Sequence, residues 1–139
     1  AALPDQKAVK TGHQRGKIMV MDDDEMIRTM TGAMLTHMGF KSEFAVNGEE
    51  AVDLYKKYCS TRDQFDLIIM DLTIPGGMGG EDTVKEILAL NPEAKVLVAS
   101  GYSYDPIMAN YADYGFCGAI VKPYQMQDLS SAIQAILDK

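Results

Sequence analysis

A chain of 139 residues, 47% of them hydrophobic, falls within the size of one domain and can bury a substantial core. Its net charge of −7 repels phosphate-rich surfaces and so argues against a nucleic acid or an anionic membrane as partner. Cys59 and Cys117 form no Cys-x-x-Cys spacing, no apolar run nears the roughly 18 residues of a membrane span, and no apolar core marks a signal peptide, so reduced thiols in a cytoplasmic protein are expected.

The opening segment "AALPDQKAVKTGHQRG", residues 1 to 16, mixes Pro4, glycines and charges without apolar period and reads as a linker. The domain is expected over residues 17 to 139. It starts with an apolar run, "KIMVM", that ends in Asp22, Asp23 and Asp24. Three adjacent carboxylates repel one another, so a cationic partner should compensate them. Ile27, Met30, Met34 and Met38 then recur at helical spacing and stop at Gly39, a glycine cap. "SEFAV" is the second strand; Asn47 caps a helix whose apolar face is Ala51, Val52, Tyr55 and Tyr58. "FDLIIM", apolar on both faces, is a buried central strand. A third helix starts near Glu81, turns Val84, Ile87 and Leu88 inward and breaks at Asn91-Pro92. "KVLVAS" follows, then a helix over about 107 to 114 ending at Gly115, the strand "AIVK", and a last helix carrying Leu129, Ile133, Ile136 and Leu137.

Strict alternation of five strands and helices with short connections implies an α/β doubly wound parallel sheet with both faces covered. Ligands of such sheets bind beyond the carboxyl ends of the strands. There the sequence puts Asp22 and Asp23, Asp71, Ser100 and Lys122. Clustered carboxylates need a divalent cation, and oxygen ligands suit Mg²⁺. A hydroxyl and an ammonium beside it can hold the oxygens of a phosphoryl group.

These strand ends carry a resemblance. "IMVMDDDEMIR", "IIMDLTIP", "VLVASG" and "IVKPY", in that order over about residues 17 to 137, resemble the motifs of response regulator receiver domains (CheY-like). The resemblance implies a flavodoxin-like, three-layer fold with strand order 2-1-3-4-5. It also implies Asp71 as phosphoacceptor, Asp22 and Asp23 as acidic Mg²⁺ residues, the Thr73 carbonyl as a further metal ligand, and Ser100 and Lys122 as phosphoryl contacts. The implied function is receipt of a phosphoryl group from a histidine kinase or a histidine phosphotransfer domain in a two-component phosphorelay, with the domain catalysing its own phosphorylation and dephosphorylation. It further implies a cis bond before Pro123. "DLTIPGGMGG" and "SGYSYDPIMANY" resemble the receivers at the C-terminal ends of hybrid sensor histidine kinases, and the linker-like start fits an excised module.

Asp24 is expected to cap the first helix. Three departures from the receiver pattern stand out. The loop after Asp71 carries an extra glycine and has Gly79 where an aspartate is common, so it should be mobile; Ala119 replaces the usual switching aromatic; and Tyr102 flanks the site, where with Tyr104 it is the ring nearest to any rearrangement. Other readings fit less well. A haloacid-dehalogenase-like phosphatase needs a second acid two residues after its nucleophile, and Thr73 stands there. A flavin or nucleotide binder would show a Gly-rich loop after the first strand. A phosphorylation-independent docking module would have no reason to keep the full set. His13 and His37 lack the setting of a phosphodonor, and the methionines read as core filler.

Overall fold

A computed structural model describes residues 15–138. Five parallel strands, β1 (Gly16–Met21), β2 (Phe40–Ala45), β3 (Leu67–Asp71), β4 (Val96–Ser100) and β5 (Gly118–Val121), form one sheet in the order β2-β1-β3-β4-β5. Between them run α1 (Glu25–His37), α2 (Gly48–Tyr58), α3 (Gly80–Leu90) and the short α4 (Pro106–Ala109), with α5 (Met126–Leu137) at the end. This is the doubly wound α/β architecture expected. Alternate residues of each strand face opposite ways. Ile18, Val20, Leu67, Ile69 and Leu97 therefore meet Leu35 of α1 and Leu129, Ile133 and Ile136 of α5, while Met19, Met21, Ile68, Met70, Val96 and Val98 meet Ala51, Val52 and Tyr55 of α2 and Val84 and Ile87 of α3.

Local signals hold where they rest on capping chemistry. Asp24 accepts from the N–H groups of Met26 (2.9 Å) and Ile27 (3.4 Å), and Asn47 accepts from that of Glu50 (2.9 Å). Gly39 takes φ +95° just after α1, a conformation that favours glycine.

Four expectations need correction. The buried stripe of α1 is Thr31, Gly32 and Leu35, with Ile27, Met30, Met34 and Met38 only half-buried, because the Phe44 ring stands over Gly32 and the Thr31 hydroxyl has a partner inside. The fourth helix is broken: α4 stops at Ala109, Asn110 leaves helical geometry at φ −120° and ψ 38°, and a 3-10 turn completes the stretch over Tyr111–Tyr114. β2 starts two residues early, at Phe40, in register with Gly16. The loop after β3 is tied down. Gly48 N–H donates to Met78 O (2.8 Å), Gly80 N–H to Leu72 O (3.0 Å), and Ile74 is buried. A Cβ on Gly79 would lie 2.5 Å from the Leu72 carbonyl oxygen, so this glycine answers a close approach of backbone rather than a need for freedom. At the start, Gly16 opens β1 and the Arg15 N–H bonds Gly39 O (2.9 Å); the rest of the proposed linker, with His13, lies outside the described residues.

Candidate functional site: an acidic pocket at the strand ends

Sheet register assembles the site. β1 and β3 pair Met21 with Met70, so Asp22 and Asp71 emerge level with each other; β3 pairs Asp71 with Ala99, leaving Ser100 one residue further out; β4 pairs Ser100 with Val121, so Lys122 follows at the same rim. Together with Asp23, Asp24, Thr73, Pro75, Gly101 and Tyr102 these residues line an open cavity of about 430 Å³. Every site residue named from the sequence is in it.

Lys122 lies between two acids. Its Nζ donates to Asp22 Oδ2 at 3.1 Å and stands 3.2 Å from Asp71 Oδ1. Asp22 and Asp71 are 3% and 5% exposed, whereas Asp23 is open to solvent. Burial, followed by the neighbouring Asp22 charge, pushes the Asp71 carboxyl up from 3.8 to about 6, against the pull of Lys122 and the Thr73 N–H. Burial opposes the charge on Lys122, but the two carboxylates outweigh it and hold its ammonium above the ordinary lysine range. Ser100, 2% exposed, accepts the Tyr102 N–H on Oγ at 3.0 Å, which leaves its O–H free to donate.

One oxygen from each of Asp22, Asp23 and Asp71 lies within 4.8 Å of the other two. Three carboxylates against one ammonium leave the rim negative, and an all-oxygen donor set of this size fits a hard divalent cation. The cation that the aspartate run demanded is thus supplied in part by Lys122. Arg28, the last residue of the first quoted motif and given no role there, also reaches this turn: its Nη1 donates to the Asp22 main-chain carbonyl at 2.8 Å. Its place one turn into the helix that Asp24 caps was the available signal. The bond before Pro123 is cis. Ala119 pairs with Val98 inside the sheet, and the exposed Tyr102 and Tyr104 rings meet edge to face, centroids 5.8 Å apart. His37 closes α1 at the end away from Asp24 and the pocket, about 18 Å of helix from its start.

Such a fold, with acids and a lysine on that rim, is the arrangement that the resemblance to receiver domains implied. The sequence model of the response regulator receiver domain matches residues 18–134, and the chain belongs to that family. It is 31% identical over 121 residues to the chemotaxis protein CheY of Thermotoga maritima, covering 86% of this chain and 96% of that one. Among solved structures, Vibrio cholerae CheY4 is similar at a TM-score of 0.78 and 27% identity, covering 88% of this chain and 98% of that one. CheY in the CheX-CheY-BeF3-Mg²⁺ complex of Borrelia burgdorferi shares the fold, with a TM-score of 0.82 at 23% identity over 89% of this chain and 90% of that one. The protein is a receiver domain of two-component signalling, and receivers take phosphoryl groups from histidine kinases or phosphotransfer proteins. Neither the phosphatase nor the docking-module reading is favoured. Among the described residues no helix is long and apolar enough to cross a membrane.

Proposed function

We propose that Asp71 is the phosphoacceptor, taking its phosphoryl group from a phosphohistidine of a sensor kinase or of a phosphotransfer domain in the cytoplasm. The observation that carries this is the position of Lys122, within 3.2 Å of both buried acids in the lining of the cavity. An Asp71 carboxylate oxygen attacks phosphorus; the new O–P bond forms as the bond from phosphorus to the donor imidazole nitrogen breaks, and that electron pair leaves with the imidazole. At pH 7 Asp71, titrating near 6, is mostly ionised and so nucleophilic. Lys122 and the free Ser100 O–H face the oxygens of the incoming group. Asp22, Asp23, Asp71 and the Thr73 carbonyl would hold Mg²⁺, which when bound neutralises phosphoryl charge. The likeness of "DLTIPGGMGG" to hybrid-kinase receivers supports such a kinase as the module's host.

Incubated with Mg²⁺ and acetyl phosphate, the protein should gain one acid-stable, base-labile phosphoryl group by mass spectrometry. Asp71→Asn should abolish it, and Asp23→Asn should raise the Mg²⁺ requirement. Undiminished labelling of Asp71→Asn, or labelling in EDTA, would overturn the assignment.

A further inference from the structure

Asp22 and Lys122 face each other across the pocket, yet β1 and β5 are separated by β3 and β4. The ladder alone would carry their relative position through two intervening strands and roughly 14 Å of sheet. A shorter path runs through α1. The Asp22 main chain is gripped twice, its N–H by Ala45 O (3.0 Å) and its carbonyl by Arg28 Nη1 (2.8 Å). Two residues beyond Lys122, the nearly buried Tyr124 shares a 2.7 Å hydrogen bond with the hydroxyl of Thr31, which is wholly buried. Arg28 and Thr31 are three residues apart, so they leave α1 one turn apart on one face.

A buried hydroxyl pair adds modest net stability over an apolar pair of the same shape. What it adds that a Val–Phe contact would lack is direction, since hydrogen bonds weaken steeply away from linearity. Here that direction is imposed on the turn that carries Lys122, as the Arg28 bond imposes it on the turn that carries Asp22 and Asp23.

We propose that α1 is a two-point bracket for the acidic pocket: Arg28 positions the Asp22–Asp23 turn, and Thr31, through Tyr124, positions the turn that aims Lys122. The bracket rests on the phosphoacceptor reading for its chemical consequence, though not for its geometry. Its two arms act on different parameters. The Arg28 arm governs how well the acids hold a cation, and the Thr31–Tyr124 arm governs the placement of the ammonium during transfer.

The test uses the full chain with Thr31→Val, Thr31→Ser, Tyr124→Phe and Arg28→Met. It measures the limiting rate of labelling by acetyl phosphate, half-saturating Mg²⁺ by NMR shifts, and amide hydrogen exchange. Thr31→Val and Tyr124→Phe should each slow labelling roughly fivefold and leave half-saturating Mg²⁺ within about twofold, as loss of one buried hydrogen bond would. Both should speed exchange at the Lys122 N–H, which bonds Ser100 O at 2.8 Å. Combining them should add little, because they break the same bond. Thr31→Ser, which keeps the hydroxyl, should restore the rate. Arg28→Met should weaken Mg²⁺ binding roughly tenfold, in line with loss of a charged donor, and speed exchange at the Asp22 N–H. A Thr31→Ser variant as slow as Thr31→Val, or losses that follow global stability in every variant, would overturn the bracket. A wild-type protein that takes no label would sink the phosphoacceptor reading instead, and Mg²⁺ binding and amide exchange would still judge the bracket.

Discussion

Replacing Asp71 by asparagine should stabilise the protein when no divalent cation is present. Asp71 is 5% exposed, and its carboxyl lies beside Asp22 and titrates near 6 instead of 3.8. A carboxyl whose folded value is raised binds its proton more tightly in the native state, so folding stability is present below the ordinary value and is lost as pH rises through the window from 3.8 to about 6. Above that window the ionised group costs about 3 kcal/mol, the equivalent of the interval between the two values. Asparagine matches the protonated acid in size and carries no charge at any pH. In EDTA, urea unfolding should therefore find Asp71→Asn more stable than wild type by about 3 kcal/mol at pH 8 and by less than about 1 kcal/mol at pH 4. Millimolar Mg²⁺ should narrow the gap at pH 8 by stabilising the wild type more, since the variant has lost one carboxylate. An asparagine variant less stable than wild type at pH 8 in EDTA, or a difference that does not grow with pH, would refute the account of repulsion and burial at this rim.

Gly79→Ala should destabilise the domain by about 1–3 kcal/mol, the usual range for overpacking, because its Cβ would meet the Leu72 carbonyl oxygen at 2.5 Å; thermal unfolding measures this, and an unchanged midpoint would mean that the loop yields. Removing residues 1 to 14 while keeping Arg15, whose guanidinium lies 4.8 Å from the Phe40 ring centroid, should leave the unfolding midpoint unchanged, because the segment has no periodic apolar face whose burial would offset its ordering entropy. A large drop would show that it packs on the domain.

How much of this was legible in the chain can be read from single residues. Asp24 and Asn47 were recognisable as caps because a cap is a contact within three residues and depends on nothing distant. The apolar β3 announced itself as a central strand for a similar reason, since a strand covered on both faces needs no polar alternation. Lys17 is the opposite case. In the sequence it is a charged residue at the edge of a strand, yet it is 3% exposed, paired with Glu43 at 2.9 Å and Asp63 at 3.0 Å and set over the Tyr58 ring. Those partners lie dozens of residues away, so no local pattern could announce them. The inward face of α1 was legible only in part for the same reason: Met34 and Met38 of the expected stripe pack against the core, but Phe44 and Tyr124 place full burial at Thr31, Gly32 and Leu35 beside them.

The sequence by itself determined the alternation of strands and helices, the caps, and which polar residues stand at the strand ends, because periodicity and capping act over a few residues and parallel strands send all their carboxyl ends to one rim. Tertiary structure alone decided what those residues are to one another. The 3.1 and 3.2 Å contacts of Lys122, the rise of Asp71 to about 6, and the grip of Arg28 on the Asp22 carbonyl depend on register between strands far apart in sequence and on exclusion of water from their ends. Charge interactions weaken with distance and with access to water, and both quantities exist only once the chain has folded.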